Sequence, residues 1–507
     1  MTSRSTINVV PLKPSKNDEI ADFGGDYILK NVILTNHIGQ KVDIKNIMTE
    51  LNIYESIYKN AVTGSIVITD ATNQIARMQI QGLERIAFHL KTPGVTYGKE
   101  DVVDATEETG EPFHVYKITN RKQVKPGLIV YTLHFASREF MRNIRTKVSQ
   151  AYDGKYERAV IDIMKDKDYL DSRKKLHYES TGNSNKVVIP NLSPFDAINY
   201  IAKRSVPEKT NGVGYYFYET TKGYYFRSWQ NMITNQGDFA RPQRQNFYYQ
   251  PLRMENESKA TNQTKIEREY ESVEQYQFVN NFHDVAANTV LGTYGHRVIS
   301  HNLFDKSYNI NDYNYHNEFI KTKHTDTAGS TATNKFAIMD TPVDYDNSDI
   351  LSDYAESRVS LQSTSPFLHD KDVGIYGLDV NQDGASTGQG VSQHNQVVHG
   401  TVLKLTVKGQ SKLQPGDPIR FHLKDMNSDA RDNADSTDPR FSGNYIITEI
   451  RHQVIKDEYK MTLGCAKDSV ATSYGEVSQG VRMHRDGIHS ANQSELELEE
   501  IDGDIGY

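Results

Sequence analysis

Cysteine is almost absent from this chain, which has Cys465 alone in 507 residues. A lone cysteine excludes an intramolecular disulfide and a cysteine-ligated zinc site. Cys465 lies in a run where Tyr459, Met461, Leu463 and Cys465 alternate with polar residues. We therefore expect a buried thiol at this position and not a nucleophile.

Long apolar runs and an excess of basic charge are also lacking. No run approaches the roughly twenty apolar residues needed to cross a bilayer. The polar start Met1–Thr6 is unlike a signal peptide, so we expect a protein that is made in a cytoplasm and stays soluble. The formal net charge of -8 gives no general basic face for phosphate, so nucleic acid is not expected as the main partner.

A phosphate-cradling Gly-x-x-x-x-Gly-Lys loop is missing as well. The one Gly-x-Ser-x-Gly string, Gly384–Gly388, falls inside a glycine-rich stretch that we predict to be a loop. Paired carboxylates depend on spatial separation, and acidic residues are too abundant to nominate a pair. No catalytic or cofactor-binding residue is predicted, and we do not expect an enzyme.

Two patterns suggest a metal, and both are weak. Asp379–Gly384 resembles the first half of a calcium loop, but the twelfth position is Gly390 and not a glutamate, so a turn is expected. The spacing of the densest histidine group matches no helical pair of ligands: His296, His301, His316 and His324. His394 and His399 are expected to be solvated or hydrogen-bonded. No metal ligand is predicted.

Tyrosine is abundant, whereas hydrophobic residues overall are few. The chain has 31 Tyr and 18 Phe, but hydrophobic residues make up only 37% of it. A polar surface rich in tyrosine fits an assembly protein better than a compact metabolic enzyme. The length suggests about three domains.

Residues 400–467 carry the clearest pattern, which is that of β-strands. Apolar residues alternate with polar ones on each side of the turn Gln414–Asp417, and we interpret this as a hairpin with one dry face: Leu403, Leu405, Val407, then Ile419, Phe421, Leu423. A second pair of strands is predicted from Tyr445 to Cys465. Four strands with short links must close into a barrel or be covered.

An earlier stretch resembles this one. Residues 121–136 align without a gap on 451–466, with six identities in sixteen positions: Arg121/Arg451, Gln123/Gln453, Val124/Val454, Thr132/Thr462, Leu133/Leu463 and Ala136/Ala466. In the earlier copy Ile129, Tyr131, Leu133 and Phe135 share one face. We interpret the match as an internal duplication of a strand-turn-strand unit; the alternative is two unrelated hairpins of similar pattern.

The order of elements predicts a domain plan. Residues 1–24 form an arm, and 25–137 form a first β-barrel domain, with strands at Tyr27–Leu34, Gly64–Thr69, Ile86–Leu90 and Phe113–Ile118 and an acidic loop over Val95–Glu111. Residues 138–250 form an α+β domain. The second barrel combines 251–290 with 396–470, and 291–395 is an insertion with long loops. Residues 471–507 form an acidic tail.

Local signals fill in the α+β domain. Phe140, Ile144 and Val148 after Ser137 predict one helix, and Ala159, Val160, Ile163 and Met164 predict another. Ser193-Pro194-Phe195-Asp196 is typical of a helix start. An aromatic hairpin is expected over Tyr215–Phe226, leading to Trp229. The glycine-rich stretch Gly374–Asn395 is predicted to be a loop.

Two short motifs resemble those of a known family, the baseplate hub proteins of contractile-tailed phages, related to the hub domains of type VI secretion assemblies. Leu413–Ile419 resembles the family's Leu-x-Pro-Gly turn, and Gly443–His452 resembles its Tyr-x-Val-x-x-Val-x-His strand. Ser193-Pro194-Phe195 and Tyr294-Gly295-His296 add support. The likeness is strongest to the hubs of T-even-like phages and covers the order of elements over 25–470. The arm, parts of 297–395 and the acidic tail depart from it.

The resemblance implies a mainly β, α+β fold with two barrels of the tail-tube type. It implies a homotrimer in the virion tail baseplate that joins a threefold central spike to a sixfold tail tube. Tube-initiator and baseplate wedge proteins would be further partners, and DNA would pass through a central channel without sequence reading. The alternatives are a virion-associated cell-wall hydrolase or carbohydrate-active protein with its active site in 291–395, and a receptor-binding fibre protein.

Overall fold

The computed structural model describes most of the chain between residues 23 and 472. The described residues are 23–93, 102–107, 111–182, 185–209, 213–234, 245–249, 262–280, 284–302, 306, 308–326, 336–338, 351–364, 384–424, 437–455 and 458–472. The predicted arm up to residue 22, the acidic tail from 473 onward and Asp379–Asp383 lie outside them. Among the described residues, no helix has the length and apolar character needed to cross a membrane.

Strands dominate the fold, which confirms the expected mainly β, α+β class. The strands are β1 (Ile28–Leu29), β2 (Ile33–Thr35), β3 (Lys41–Asp43), β4 (Met48–Ser56), β5 (Thr63–Asp70), β6 (Arg85–Ala87), β7 (His89–Lys91), β8 (Val102–Asp104), β9 (Phe113–Lys125), β10 (Leu128–Ala136), β11 (Ala151–Gly154), β12 (Leu176–Tyr178), β13 (Asn185–Val188), β14 (Tyr215–Thr220), β15 (Gly223–Ser228), β16 (Gln245–Tyr249), β17 (Val273–Asn280), β18 (Gly295–Asn302), β19 (Tyr308–Asn314), β20 (Val359–Thr364), β21 (Thr401–Lys408), β22 (Pro418–Leu423), β23 (Gly443–Ile455) and β24 (Glu458–Lys467).

Helices are fewer than strands among the described residues. They are α1 (Gln74–Arg77), α2 (Arg138–Arg145), α3 (Tyr156–Lys165), α4 (Pro194–Ala202), α5 (Trp229–Thr234), α6 (Asn262–Glu271), α7 (Val285–Val290), α8 (Tyr315–Phe319) and α9 (Gly384–His399). Most of them lie between residues 138 and 399, after β1–β10 and before β21–β24.

One sheet contains thirteen of the strands. Its main path runs β17-β21-β24-β23-β4-β5-β10-β9-β6-β2-β3, and β22 and β16 branch from β23. The path takes strands from both segments that the sequence divides into separate barrels, and a single cluster of buried apolar residues lies under both. The domain division itself stays a prediction.

The C-terminal half of this sheet curls back on itself. Its strands follow the order β17-β21-β24-β23-β22-β16, and a bridge between Tyr248 and Ser272 connects the two ends of that run. Leu403, Leu405, Leu463 and Cys465 are fully buried inside it. The buried position expected for Cys465 is confirmed, and burial raises the pKa of its thiol.

The two halves of the sheet share their pairing pattern. Leu133 pairs with Ile66 and Ile66 with Leu51, while the matching residue Leu463 pairs with Leu405 and Leu405 with Tyr276. By this register β10, β5 and β4 correspond to β24, β21 and β17. A bulge falls at the same place in both outer strands, between Met48 and Glu50 in β4 and between Val273 and Gln275 in β17. These shared features favour duplication over chance similarity of two hairpins.

The gap-free alignment of the two copies holds for only one strand of each. Thr132 and Thr462 occupy equivalent places, but Thr132 faces Thr119 whereas Thr462 faces Arg451. Register shifts in β9, beside Asn120 with its φ of 56°, account for the displacement. The matches of Arg121 with Arg451 and of Gln123 with Gln453 are therefore not structural equivalences, because bulges insert extra residues into β9.

The α+β region forms as its local signals predict. In α4, Ser193 caps the helix by accepting a hydrogen bond from the amide of Asp196 at 3.4 Å. The buried residues of α3 are as expected, and β14 and β15 form the aromatic hairpin. The stripe proposed for α2 is wrong, because Ile144 is 63% exposed, Val148 lies beyond the helix and Glu139 is its buried residue.

The prediction of a loop over Gly374–Asn395 is wrong for its second part, which belongs to α9. Gly388, Ser392, Asn395 and Gln396 form the buried stripe of this helix. A Cβ on Gly388 would lie 3.2 Å from the Cβ of Tyr313, so small residues let the helix approach β19 closely. Packing against the sheet β19-β18-β20 overrides a low helix propensity here.

The hairpin proposed for 403–423 is also wrong. β21 and β22 are both strands, but β21 pairs with β17 and β24, whereas β22 pairs with β16 and β23. In the turn that connects them, the amide of Gly416 donates to the carbonyl of Ile447 in β23 at 2.7 Å. Each strand thus completes a different side of the C-terminal half.

Three smaller expectations change in the N-terminal half. Tyr27–Leu34 is divided into β1 and β2, and Ile86–Leu90 is divided into β6 and β7, which belong to different sheets. The acidic loop Val95–Glu111 contains the strand β8, which pairs with β7. Alternation alone cannot distinguish one long strand from two that leave for different sheets.

Replacement of Gly64 by alanine tests the packing of β5. A Cβ there would overlap the ring of Phe135 and lie 2.5 Å from the carbonyl oxygen of Asn52. We expect Gly64→Ala to lower the free energy of unfolding by about 1–3 kcal/mol. Thermal unfolding measures the change. The control is Gly390→Ala in α9, where the new Cβ meets only Val213 at 3.5 Å. The expectation fails if both variants melt alike.

Candidate assembly surface

β23 joins the two halves of the main sheet. Its first part pairs with β22, from Gly443–Phe421 to Ile446–Pro418. Its second part pairs with β4, from Glu449–Ser56 to Ile455–Glu50. One strand therefore closes the C-terminal half and also presents an edge on which the N-terminal half continues the sheet.

Side chains on the polar side of this joint fix its register. Arg451 donates from Nε to Asn52 Oδ1 at 3.0 Å, and Gln453 donates from Nε2 to Glu50 Oε1 at 2.8 Å. Arg451 also lies 3.2 Å from Glu50. Partial burial would raise the pKa of Glu50, but hydrogen bonds from Gln453 and Asn52 and the charge of Arg451 together lower it.

Buried polar groups lie on the other side of the same joint. The hydroxyl of Tyr459 and Nδ1 of His452 are 2.7 Å apart, and both residues are almost fully buried. Glu55 of β4 lies 3.7 Å from His452 Nε2 and accepts a hydrogen bond from the amide of Thr221 at 3.1 Å. This group links β4, β23 and β24 to the aromatic hairpin.

The main sheet has one dry face and one polar face. Amide and hydroxyl side chains recur on the polar face of both halves: Asn52, Ser65, Thr69, Thr132, Thr406, Gln453 and Thr462. Two of its lysines are neutralised locally, since Lys408 and Lys460 each lie within 3.1 Å of both Glu274 and Glu458. These pairs are partly exposed and screened, so they contribute little to stability.

Besides the outer edge of the short end strand β3, two longer edges of the sheet have no partner strand within the described part of the chain. β9 pairs with β6 only at Phe113 and His114, and its outer edge from Thr119 to Lys125 is unpaired. β17 pairs with β21 on one side alone. Residues 121–125 are all exposed, as are Gln275, Gln277 and Val279. Unpaired edges are the places where sheets add strands from other chains.

Two carboxylates come together in the core and not in a cleft. Lys174 Nζ lies 3.0 Å from Glu139 and 2.5 Å from Glu219, whose side chains are 0% and 1% exposed. Glu219 also accepts a hydrogen bond from the amide of Val62 at 2.8 Å, which ties β14 to β5. Burial raises the pKa of Glu219; the charge of Lys174 opposes the rise and Glu139 adds to it.

A cleft with a volume of about 910 Å³ lies between α4, β14 and α9. Part of its wall comes from the predicted insertion, through Arg358, Gln393 and His394. Among its described lining residues Asp196 is the single carboxylate, and it accepts a hydrogen bond from Ser193 at 2.6 Å. The converging acids that a glycosidase needs are not present among those lining residues.

Three of the four clustered histidines of the sequence make separate structural contacts. His296 bonds Ser360, His316 bonds Ser352, and His324 Nδ1 lies 3.0 Å from Asp468 in the core. Within the described ranges no group of three or more potential ligands gathers around a common point. His301 lies in β18, and His394 and His399 lie on α9.

Sequence reasoning missed the strand on which the joint depends. β4 was not among the predicted strands, although Leu51 and Ile53 alternate with polar residues and are buried. The alternation stops at Glu55, a buried carboxylate that breaks the expected apolar period. A shorter window over residues 50–54 would have found the strand.

No protein-family model matches the chain, and no curated protein sequence matches it. Solved structures that resemble it include a tail protein from Neisseria meningitidis (10% identity, TM-score 0.45, 87% of this chain and 97% of that one). A 43 kDa prophage tail protein from Shewanella oneidensis is similar at 8% identity (TM-score 0.45; 87% and 98%). A component of the Escherichia coli type VI secretion system is similar at 10% identity (TM-score 0.39; 88% and 78%). At these TM-scores the likeness carries no conclusion about function.

The raised pKa of Glu219 predicts a pH effect. A carboxyl with a raised folded-state pKa favours folding fully below its unfolded pKa of about 4.3, and this contribution is lost as pH rises through the folded value. We expect Glu219→Gln, which keeps the shape without the charge, to gain in melting temperature relative to the native chain as pH rises above about 4.3. A difference that is constant with pH would contradict this.

Proposed function

We propose that the chain is a structural virion protein without catalytic activity, a trimeric baseplate hub that joins a threefold central spike to a sixfold tail tube. The observation that carries the proposal is the pairing pattern repeated in the two halves of the main sheet, down to the bulge beside Glu50 and Gln275. The resemblance of Leu413–Ile419 and Gly443–His452 to hub motifs supports the same reading.

The duplication would let one kind of chain match two different symmetries. Three chains with two similar halves each present six similar units around one axis. Such a ring can match a sixfold tube on one side and a threefold spike on the other, with one kind of chain. A protein with a single unit per chain could match only one of these two symmetries without repacking.

The polar face of the sheet suits the wall of a channel for DNA. Its side chains are mostly neutral amides and hydroxyls, and Lys408 and Lys460 are paired with Glu274 and Glu458. Affinity for DNA rises with the number of phosphates that free Lys and Arg neutralise. Pairing of these two lysines lowers that number, so DNA would be held less firmly as it passes.

The partners follow from this role. We propose contacts with the central spike, with the tail tube or its initiator, and with the surrounding wedge proteins, within the tail baseplate of the virion and after assembly in the host cytoplasm. No observation favours the cell-wall hydrolase, since the cleft beside the insertion offers Asp196 as its single described carboxylate. None favours a receptor-binding fibre protein.

Mass in solution tests the proposal. Light scattering on purified protein at micromolar concentration should give three times 57.6 kDa. A trimer is expected because each chain leaves two long sheet edges unpaired, which a closed ring would satisfy. A compact monomer, also after mixing with candidate spike protein, would contradict the hub.

A further inference from the structure

We propose that the open edge of β9, from Thr119 to Lys125, pairs antiparallel with the open edge of β17 in a second copy of this chain. The joint would repeat between chains the contact that β23 and β4 make within one chain. The inference rests on the proposed function, because it supplies the contact by which three copies close a ring.

The equivalence of strands identifies the partner edge. β10, β5 and β4 correspond to β24, β21 and β17, and β9 and β23 are the strands that precede β10 and β24 in each hairpin. Within the chain, the edge of β23 from the C-terminal half pairs with β4 from the N-terminal half. Exchanging the roles of the two halves gives a second contact, in which β9 from the N-terminal half pairs with β17 from the C-terminal half. A chain whose halves are already joined through β23 and β4 cannot make this second contact within itself.

The part of β17 that would make this contact is equivalent to the part of β4 that pairs with β23. In the C-terminal half, the bridge between Tyr248 and Ser272 closes the sheet just before β17 begins. Beyond the bulge, β4 is covered by β23 from Glu50 to Ser56. The equivalent part of β17 begins at Gln275, and no described strand covers it.

β9 is divided into two parts, as β23 is. Its first residues pair with β6, as those of β23 pair with β22. The remainder then extends past β6 with a free edge, as β23 extends past β22 to reach β4. Lys122, opposite Val130, stands where Gln453 stands opposite Lys460.

The in-chain register predicts the pairs between chains. Gln453 pairs with Asn52 and Ile455 with Glu50. The equivalent pairs are Lys122 with Gln277 and Lys125 with Gln275. The bulges in β9 place additional residues, among them Arg121, outside the ladder.

Charge favours the pairing of a β9 edge with a β17 edge over the pairing of two β9 edges. Lys117–Lys125 contains four basic residues and no acidic one, and β17 contains Glu274 and no basic residue. Two β9 edges would bring like charges together, which costs free energy. Contacts between unlike edges run head to tail, and head-to-tail contacts close into rings and do not stop at a twofold dimer.

A pair of cysteines tests the register. Directly opposite residues of antiparallel strands lie within the Cα separation that a disulfide needs. The double variant Lys122→Cys/Gln277→Cys, which keeps the buried Cys465, should give disulfide-linked dimers and trimers on non-reducing gels after mild oxidation. The control Lys122→Cys/Val188→Cys places the second thiol on β13, where Val188 is 60% exposed, and should remain unlinked.

The outcomes separate this inference from the proposed function. A trimer by mass without the linked species would mean that the ring forms through other surfaces, which overturns the inference and leaves the hub intact. Equal linking in the control would show random collision and also overturn it. A monomer would overturn both.

Charge exchange provides a second readout on the same edges. Lys125→Glu should abolish the trimer by light scattering, and adding Gln275→Lys in the same chain should restore it, because each contact joins one residue of each kind. Loss without restoration, in variants whose melting temperature is unchanged, would contradict the pairing.

Discussion

The ladder between β4 and β23 is the constraint on which the rest of the structure depends. It joins Glu50–Ser56 to Glu449–Ile455, residues almost 400 positions apart in the sequence. Without it, each half of the main sheet would end in an unprotected edge. With it, the chain presents one continuous sheet with a dry face, a polar face and two remaining long edges.

Buried polar groups fix how the other regions sit on this sheet. Glu219 reaches from the aromatic hairpin to the amide of Val62, and Trp229 donates to Asp468, which also lies 3.0 Å from His324. Burial would raise the pKa of Asp468, but His324 and the hydrogen bonds from Thr325 lower it. Such contacts cost free energy when one member is removed, so they specify one arrangement of the parts.

Local patterns in the sequence predicted local structure well. The capping group at Ser193 and the alternation around Leu405 and Leu463 each depend on neighbours within a few residues, so a single sequence contains the signal. The duplication could also be found, because Thr132, Leu133 and Ala136 keep their places relative to Thr462, Leu463 and Ala466.

Long-range relations were not predictable in the same way. The pairing of β21 and β22 with separate partners is decided by the whole sheet, not by the turn between them. α9 is helical because Gly388 fits beside Tyr313, a contact that spacing does not reveal. The joint was missed because Glu55 interrupts the pattern of β4. The bulges of β9 displaced the alignment from Gln123 back toward the start of that strand.

We propose that one chain contributes two equivalent units to a ring. Electron microscopy of the assembled particle, viewed along its axis and averaged without imposed symmetry, tests this arrangement. We expect six similar lobes around one central hole, with alternate lobes related by threefold symmetry. Three lobes, or a particle with no hole, would contradict it.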